Sequence, residues 1–148
     1  MADRNGDIQK RDVTVLHKSS GPLRYHRGDH GGYKLIVEVD PEIVRYYRSL
    51  LPKWIHTNRQ MYAPHISSVR NEIPPYPEHW GKYEGEVVEY CYTHTVFHGT
   101  IYYWLNAFCC RLEEIRVELG LPISSEYTRP PDRFSKCFHI TIGNLKGL

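Results

Sequence analysis

No uninterrupted hydrophobic run in this chain of 148 residues approaches the length of a membrane span. A transmembrane helix needs about 20 consecutive apolar residues, so the sequence predicts none. Residues 1–12 are polar and charged and have no apolar core, which predicts a flexible terminus and no secretory signal peptide. We therefore expect a cytoplasmic protein that has no membrane partner.

The chain also lacks a strong charge of either sign. It carries 19 Lys and Arg against 17 Asp and Glu, a formal net charge of +2. Long nucleic acids favour a larger basic surface, whereas a small anionic ligand is compatible with this balance. The four cysteines form no Cys-x-x-Cys pair, which predicts reduced thiols rather than a disulfide framework.

Sequence motifs of several common sites are missing. The chain contains no glycine-rich phosphate loop and no Gly-x-Ser-x-Gly sequence. The segment His26–His30 holds two histidines and an aspartate, but a zinc site needs three or four ligands at suitable spacing. The sequence therefore predicts no metal and no other cofactor. It contains no linker or low-complexity segment either, and we expect residues 1–148 to form a single domain.

Two short copies of one pattern are present, His65-Ile66-Ser67 and His139-Ile140-Thr141, 74 positions apart. In each copy a histidine and a hydroxyl residue flank an isoleucine. Strand side chains alternate between faces, so the histidine and the hydroxyl would share one face while the isoleucine enters the core. Two such strands side by side would place two imidazoles and two hydroxyls on one wall of a cleft.

This set of groups suits phosphodiester chemistry without a metal. Two imidazoles with pKa values near 6.5 can supply one proton acceptor and one proton donor near neutral pH. Hydroxyl donors can hold the phosphoryl oxygens as negative charge grows on them. The sequence does not decide which histidine is the base.

Hydrophobic periodicity predicts an α+β fold in the order strand, helix, strand, strand, strand, helix, strand. The first helix follows the cap Asp40-Pro41 and ends at Pro52, and the second covers about 108–119 before Gly120. A short strand is predicted at Val13–Leu16, and the Gly- and Ser-rich segment His17–Gly32 predicts a long loop. The other predicted strands are Tyr33–Val39, Tyr62–Val69, Glu86–Tyr92, Val96–Leu105 and Cys137–Ile142.

The extended motifs Pro64-His65-Ile66-Ser67-Ser68-Val69 and Phe138-His139-Ile140-Thr141-Ile142-Gly143 resemble the paired motifs of the 2H phosphoesterase superfamily. The order of strand, helix, basic loop and second motif in the C-terminal half is also similar to that family. The resemblance covers roughly residues 33–145. Ser68 departs from it, because an apolar residue is usual there, and this predicts either a less buried strand face or a bulge.

The resemblance implies a two-lobed, pseudo-symmetric fold, with antiparallel sheets around a central cleft and helices outside. It also implies that His65 and His139 are the catalytic pair and that Ser67 and Thr141 hold the phosphate. Small phage members, the anti-CBASS nucleases, cleave cyclic di- and trinucleotide immune signals, and this chain is similar to them in size and order.

Further residues are candidates for substrate binding. Guanidinium and ammonium groups bind phosphate well, and the basic candidates near the motifs are Arg70, Arg133 and Lys146. Tyr76 and Trp80 lie in a Pro-rich loop and are candidates to stack on a base. For Tyr102 and Trp104, core packing is the favoured interpretation.

Together these observations predict a metal-independent phosphodiesterase that acts on a nucleotide or short oligonucleotide, first a cyclic oligonucleotide signal. The alternatives are an RNA 2′,3′-cyclic phosphodiesterase, a 2′-5′ oligoadenylate phosphodiesterase, or a sponge that binds a nucleotide without cutting it. A purely structural or interaction protein is a further alternative. The sequence indicates no obligate protein partner and leaves the oligomeric state open.

Overall fold

The computed structural model describes residues 15–148 of the chain. The predicted flexible terminus, residues 1–12, and the first half of the predicted strand Val13–Leu16 lie outside this range. A short 3-10 helix covers Pro77–His79. The other elements are β1 (Leu16–Arg27), β2 (Tyr33–Glu38), α1 (Pro41–Ser49), β3 (His65–Glu72), β4 (Val87–Thr93), β5 (Phe97–His98), β6 (Tyr102–Phe108), α2 (Cys110–Glu118) and β7 (Phe138–Asn144).

The described strands form one antiparallel sheet in the order β4–β1–β2–β3–β7–β6–β5. Strand β4 also pairs with β6, and this pairing closes six of the strands into a barrel. The short strand β5 remains outside the closed ring. The predicted mixed α+β class is confirmed, with strands forming most of the regular structure and two α-helices packed against them.

Both helices share one hydrophobic core with the strands. Ile66 and Ile140 from the two motif strands are fully buried, as predicted, and so is Leu112 of α2. Val44 of α1 belongs to the same cluster. Because strand side chains alternate, the neighbours of Ile66 and Ile140 face away from this core.

Strand β1 contradicts the predicted loop at His17–Gly32. Its first seven residues, Leu16 to Pro22, pair with β4, and its last five, Leu23 to Arg27, pair with β2, so pairing extends along the whole strand. Gly21 permits a close approach, since a Cβ there would lie 1.9 Å from the Glu38 carbonyl oxygen. Leu23 is fully buried. The polar composition therefore concealed a strand whose backbone groups are satisfied by pairing with β4 in its first half and with β2 in its second half.

Helix α1 begins as predicted. The Asp40 side chain accepts a hydrogen bond from the Glu42 N–H at 3.0 Å, and Pro41 occupies the first turn. Val44 and Tyr47 are buried, but the helix ends at Ser49 rather than at the predicted Pro52, and Leu50 after it is 56% exposed.

The predicted strand Val96–Leu105 is two strands. Phe97 pairs with Trp104 and His98 with Tyr103, so β5 and β6 form a hairpin around residues 99–101. The Gly99 N–H donates to the Tyr102 carbonyl at 3.0 Å and closes the turn. The sequence interpretation missed this hairpin because Gly99 and Thr100 lie within an otherwise strand-like run.

Helix α2 agrees with its prediction, and Gly120 follows it with a φ of 84°, which favours glycine. All four cysteines are unpaired. None of the helices in residues 15–148 is long and apolar enough to cross a bilayer.

Candidate active site

The two motifs meet where β3 and β7 pair. Ile66 lies opposite Ile140 in an antiparallel register, which places His65 beside Thr141 and Ser67 beside His139. All four of these side chains are half-buried. Diagonal neighbours in such a pair are about 7–8 Å apart, which brings the two imidazoles to one small region of the sheet.

Two β-bulges in β3 decide which side chains reach this region. Leu35 pairs with Val69 but Ile36 pairs with Ser67, so Ser68 is an extra residue. Asn71 is a second extra residue, and its φ of 55° is left-handed. Without the first bulge, alternation would turn Arg70 toward the core. With it, Val69 is fully buried and Arg70 faces the same side as His65.

The bulge explains why Ser68 can stand at a position where the resembled family has an apolar residue. Ser68 is fully buried, so the predicted less buried face is wrong and the predicted bulge is confirmed. The fully buried Arg116 of α2 donates to the Ser68 carbonyl. It also donates to Glu72 at 2.9 and 2.7 Å, and Glu72 in turn accepts the Arg70 N–H at 3.2 Å. This buried ion pair therefore fixes both bulges.

A cleft of about 940 Å³ opens over the motif strands. His65, Ser67 and Thr141 line it. His139 is not part of the lining, but the register places it beside Ser67, which is. The predicted histidine and hydroxyl residues are thus brought together, and their catalytic roles stay a prediction.

The cleft is positively charged. Among the described residues that line it there is no Asp or Glu. Six Lys and Arg side chains line it: Arg27, Lys34, Arg48, Arg59, Arg70 and Lys146. A cleft of this composition attracts an anion far more strongly than the net charge of +2 suggests.

The ring of His65 has a defined tautomer. Its Nδ1 lies 2.9 Å from the Ala63 carbonyl oxygen, and only a protonated nitrogen can donate there. In the neutral ring, Nε2 then carries a lone pair that can accept a proton. Burial lowers the pKa of His65, the Ala63 hydrogen bond opposes this, and the charges of Lys34 and Arg70 lower the pKa further.

His139 is more strongly perturbed. Burial lowers its pKa to about 4; the nearby Thr128 carbonyl and Asp132 oppose the fall, and His65 and Arg70 add to it. Its Nδ1 is buried and has no hydrogen bond of good geometry within the described residues. Both histidines are therefore neutral at pH 7 in the free protein.

Asp132 lies close enough to His139 for each to shift the other's pKa. Burial opposes ionisation of Asp132, but hydrogen bonds from Ser135 and Phe134, together with His139, hold the pKa of this carboxyl below its usual range. An ionised carboxylate beside an imidazole favours the protonated ring. Sequence analysis missed this residue because the loop that carries it has no motif.

Arg70 and Lys146 line the cleft, as their prediction requires. Arg133 does not; it lies exposed in a loop with a φ of 64°. Sequence reasoning missed four cations of the lining: Arg27 at the end of β1, Lys34 on β2, Arg48 on α1 and Arg59 in the loop before β3. For Lys34 a signal existed in the sequence, because it alternates with the apolar residues Leu35 and Val37 of its strand.

The two aromatic candidates of the Pro-rich loop lie outside the cleft lining. Trp80 packs edge-on between Tyr25 and Tyr33, with ring centroids 4.9 and 4.8 Å away. Tyr76 lies against the turn at Gly120. These contacts anchor the loop to β1, β2 and the end of α2, so neither ring reaches the space above the histidines.

Three other tyrosines line the cleft, each with a cation over its ring. Tyr102 is among them, so its predicted core position is wrong, whereas Trp104 is 2% exposed and belongs to the interior, as predicted. Rings of this kind can stack on nucleobases. The pairs are Arg27 over Tyr33 at 3.8 Å, Lys34 over Tyr62 at 6.0 Å and Lys146 over Tyr102 at 5.3 Å.

Within residues 15–148, no group of three or more His, Cys, Asp or Glu side chains converges as a metal site. Comparison of the chain with protein-family models, curated proteins and solved structures found no match. The functional conclusion therefore depends on the geometry and charge of the cleft.

Proposed function

We propose that this protein is a metal-independent phosphodiesterase that cleaves a nucleotide phosphodiester by general acid–base catalysis with His65 and His139. One observation carries the proposal: two His-x-Ser/Thr motifs meet in an antiparallel register at a cationic cleft whose described lining has no carboxylate. A phosphodiester is an anion that needs one proton removed and one proton supplied, and the two imidazoles match these needs.

The proposal includes the two-lobed, pseudo-symmetric arrangement of a 2H phosphoesterase-like fold. Support comes from the pairing of Ile66 with Ile140, which relates the two motifs by a local two-fold axis. Each motif strand also has a helix against it, α2 beside β3 and α1 beside β7.

His65 is assigned as the base because the Ala63 carbonyl holds its proton on Nδ1 and leaves Nε2 as an acceptor. His139 then acts as the acid. Its pKa of about 4 means that it is neutral in the free protein. A bound phosphodiester places a negative charge beside the ring, which favours the imidazolium and supplies the proton that the acid needs.

The first candidate substrate is a cyclic oligonucleotide. His65 removes the proton of a ribose 2′-hydroxyl, the 2′-oxygen forms a bond to the adjacent phosphorus, and the bond from phosphorus to the 5′-oxygen breaks. His139 protonates the leaving 5′-oxygen, and Ser67 and Thr141 donate to the nonbridging oxygens. The tyrosines that line the cleft provide faces on which the bases stack.

The test is a turnover assay in EDTA with 2′,3′-cyclic nucleotides, 2′-5′ oligoadenylate, and cyclic di- and trinucleotides. We expect wild type to cleave at least one class, and His65→Ala and His139→Ala each to lose about 10²–10⁴-fold in rate. His56→Ala is the matched control, because His56 is exposed and outside the lining of the cleft.

The panel also separates the alternatives. If wild type cleaved only the 2′,3′-cyclic or only the 2′-5′ substrates, that class would be the substrate instead of a cyclic oligonucleotide. Tight nucleotide binding without any turnover would overturn the proposed enzymatic activity and favour a nucleotide sponge. A 2′-deoxy analogue cut as fast as its ribose parent would exclude the 2′-hydroxyl as nucleophile.

A further inference from the structure

One end of the cleft is built by the loop before β3 and the end of β7. The Asn58 N–H donates to the Asn144 carbonyl at 2.8 Å, and the Asn58 amide donates to Asn144 Oδ1 at 2.7 Å. The same amide also donates to the Lys146 carbonyl at 2.8 Å. These bonds bring Arg59, the next residue along the loop, to the chain segment that carries Lys146.

Arg48 of α1 also contacts this end of the cleft. Its guanidinium donates to the Ile142 carbonyl at 2.9 Å and to the Asn58 carbonyl at 3.3 Å. Gly143 makes room for it, since a Cβ there would lie 3.1 Å from Arg48 Nη1 and 2.9 Å from Thr57 Cγ2. Neutral carbonyls hold Arg48 in place and leave its charge uncompensated by any described carboxylate.

This cluster is separate from the cations beside the histidines. Lys34 and Arg70 pair with each other across β2 and β3, on the strand that carries His65, whereas Arg48, Arg59 and Lys146 lie at the end of β7. Because Ile142 is an extra residue in β7, the strand advances from Thr141 to Asn144 only as far as its partner does from Trp104 to Tyr102, which is roughly 7 Å at about 3.3 Å per residue. One nucleoside unit bridges such a span.

We propose that Arg59 and Lys146, supported by Arg48, form a second phosphate subsite one nucleoside away from the scissile phosphate. Both side chains are exposed and line the cleft, so their ammonium and guanidinium donors are available to a phosphate. The assignment of the scissile phosphate rests on the proposed function; the subsite rests on the cations. The substrate is then a nucleotide with at least two phosphates, rather than a 2′,3′-cyclic mononucleotide.

The test compares ApA, which has one phosphate, with pApA and ApAp, which differ from it only by a terminal second phosphate. For wild type we expect kcat/KM to be at least ~10-fold higher for pApA or ApAp than for ApA, because a charge-assisted contact is worth about that factor. The Arg59→Ala/Lys146→Ala variant should bring this ratio close to one. Lys53→Ala, an exposed cation of the same loop outside the cleft lining, should keep the wild-type ratio.

A binding experiment tests the second phosphate subsite independently of the proposed function. The His65→Ala/His139→Ala protein, with and without the two charge substitutions, is titrated with the same three compounds by calorimetry. Tighter binding of pApA or ApAp that depends on Arg59 and Lys146 supports the subsite, and if wild type also cleaves neither these compounds nor any substrate of the turnover panel, the proposed enzymatic activity is overturned. Cleavage of all three with equal kcat/KM, unchanged in the charge variant, overturns the subsite alone. If none of the three compounds binds and no compound of either set is cleaved, both proposals are overturned.

Discussion

At the scale of single residues, burial lowers the pKa of His139, and this shift affects both its proposed catalytic role and the free energy of unfolding. A histidine whose pKa is about 4 in the folded protein and near 6.5 in the unfolded chain binds a proton more readily when unfolded. Its contribution to stability is fully present above pH 6.5 and is lost as the pH falls toward 4. The same burial removes the ring from solvent beside the site where a phosphodiester is proposed to bind.

This gives a prediction for the free energy of unfolding. Between pH 6.5 and 4 it should fall by about 1.4 kcal/mol per pH unit because of His139, about 3 kcal/mol in total. His139→Gln removes this titration, so the difference in unfolding free energy between wild type and variant should change across the window. Urea denaturation at several pH values measures it. If the unfolding free energies of the two proteins changed with pH in parallel, the pKa of His139 would not be lowered in the folded protein.

The four histidine and hydroxyl residues of the site could be predicted from the sequence, because the motif repeats and alternation fixes their shared face. Arg48 and Arg59 could not. Arg48 lies on a helix and Arg59 in an irregular loop, and they meet only because Asn58 and Gly143 bring those segments together at the end of β7. Such contacts depend on the three-dimensional path of the chain and leave no local pattern.

At the scale of elements, β3 is the strand on which the site depends. Its bulge at Ser68 turns Arg70 to the face of His65, and the pair Arg116–Glu72 holds this bulge and the one at Asn71 from α2. Arg116 also donates to the Pro122 carbonyl at 2.6 Å, so the helix, its following loop and the motif strand are joined through one buried guanidinium.

Arg116→Met should therefore be strongly destabilising. It leaves the Glu72 carboxylate, which is only 11% exposed, without its partner, and such a loss costs about 3–5 kcal/mol. The double variant Arg116→Met/Glu72→Leu removes the stranded charge and should recover part of this cost. Urea denaturation of both variants tests the expectation. Equal instability of the two would mean that the ion pair contributes only through packing.

The elements differ in how far local sequence determines them. Helix α1 could be predicted from its Asp-Pro start and its apolar spacing, which act within a few residues. Strand β1 could not, since its Gly21 and Pro22 disfavour strands and its stability comes from pairing with β2 and β4. The bulge at Ser68 was one of two predictions for a polar residue at a usually apolar position, and the other was a less buried strand face.

At the scale of the whole molecule, charge is distributed unevenly. The sequence carries a formal net charge of only +2, yet six cations and no described carboxylate line one cleft. The acidic side chains instead form ion pairs elsewhere, such as Glu86 with Arg111 at 2.7 Å. A bulk charge count therefore hides the feature that most strongly favours an anionic ligand.

If His65 and His139 act as base and acid, the pH dependence of kcat/KM must depend on both rings, and measuring it tests the mechanism directly. Wild type should show a bell with its optimum below pH 6.5, because the pKa of each ring is lowered. His65→Ala should lose the fall at low pH, which reports the base, and His139→Ala should lose the fall at high pH, which reports the acid. If both variants keep the wild-type bell, the two-histidine mechanism is contradicted.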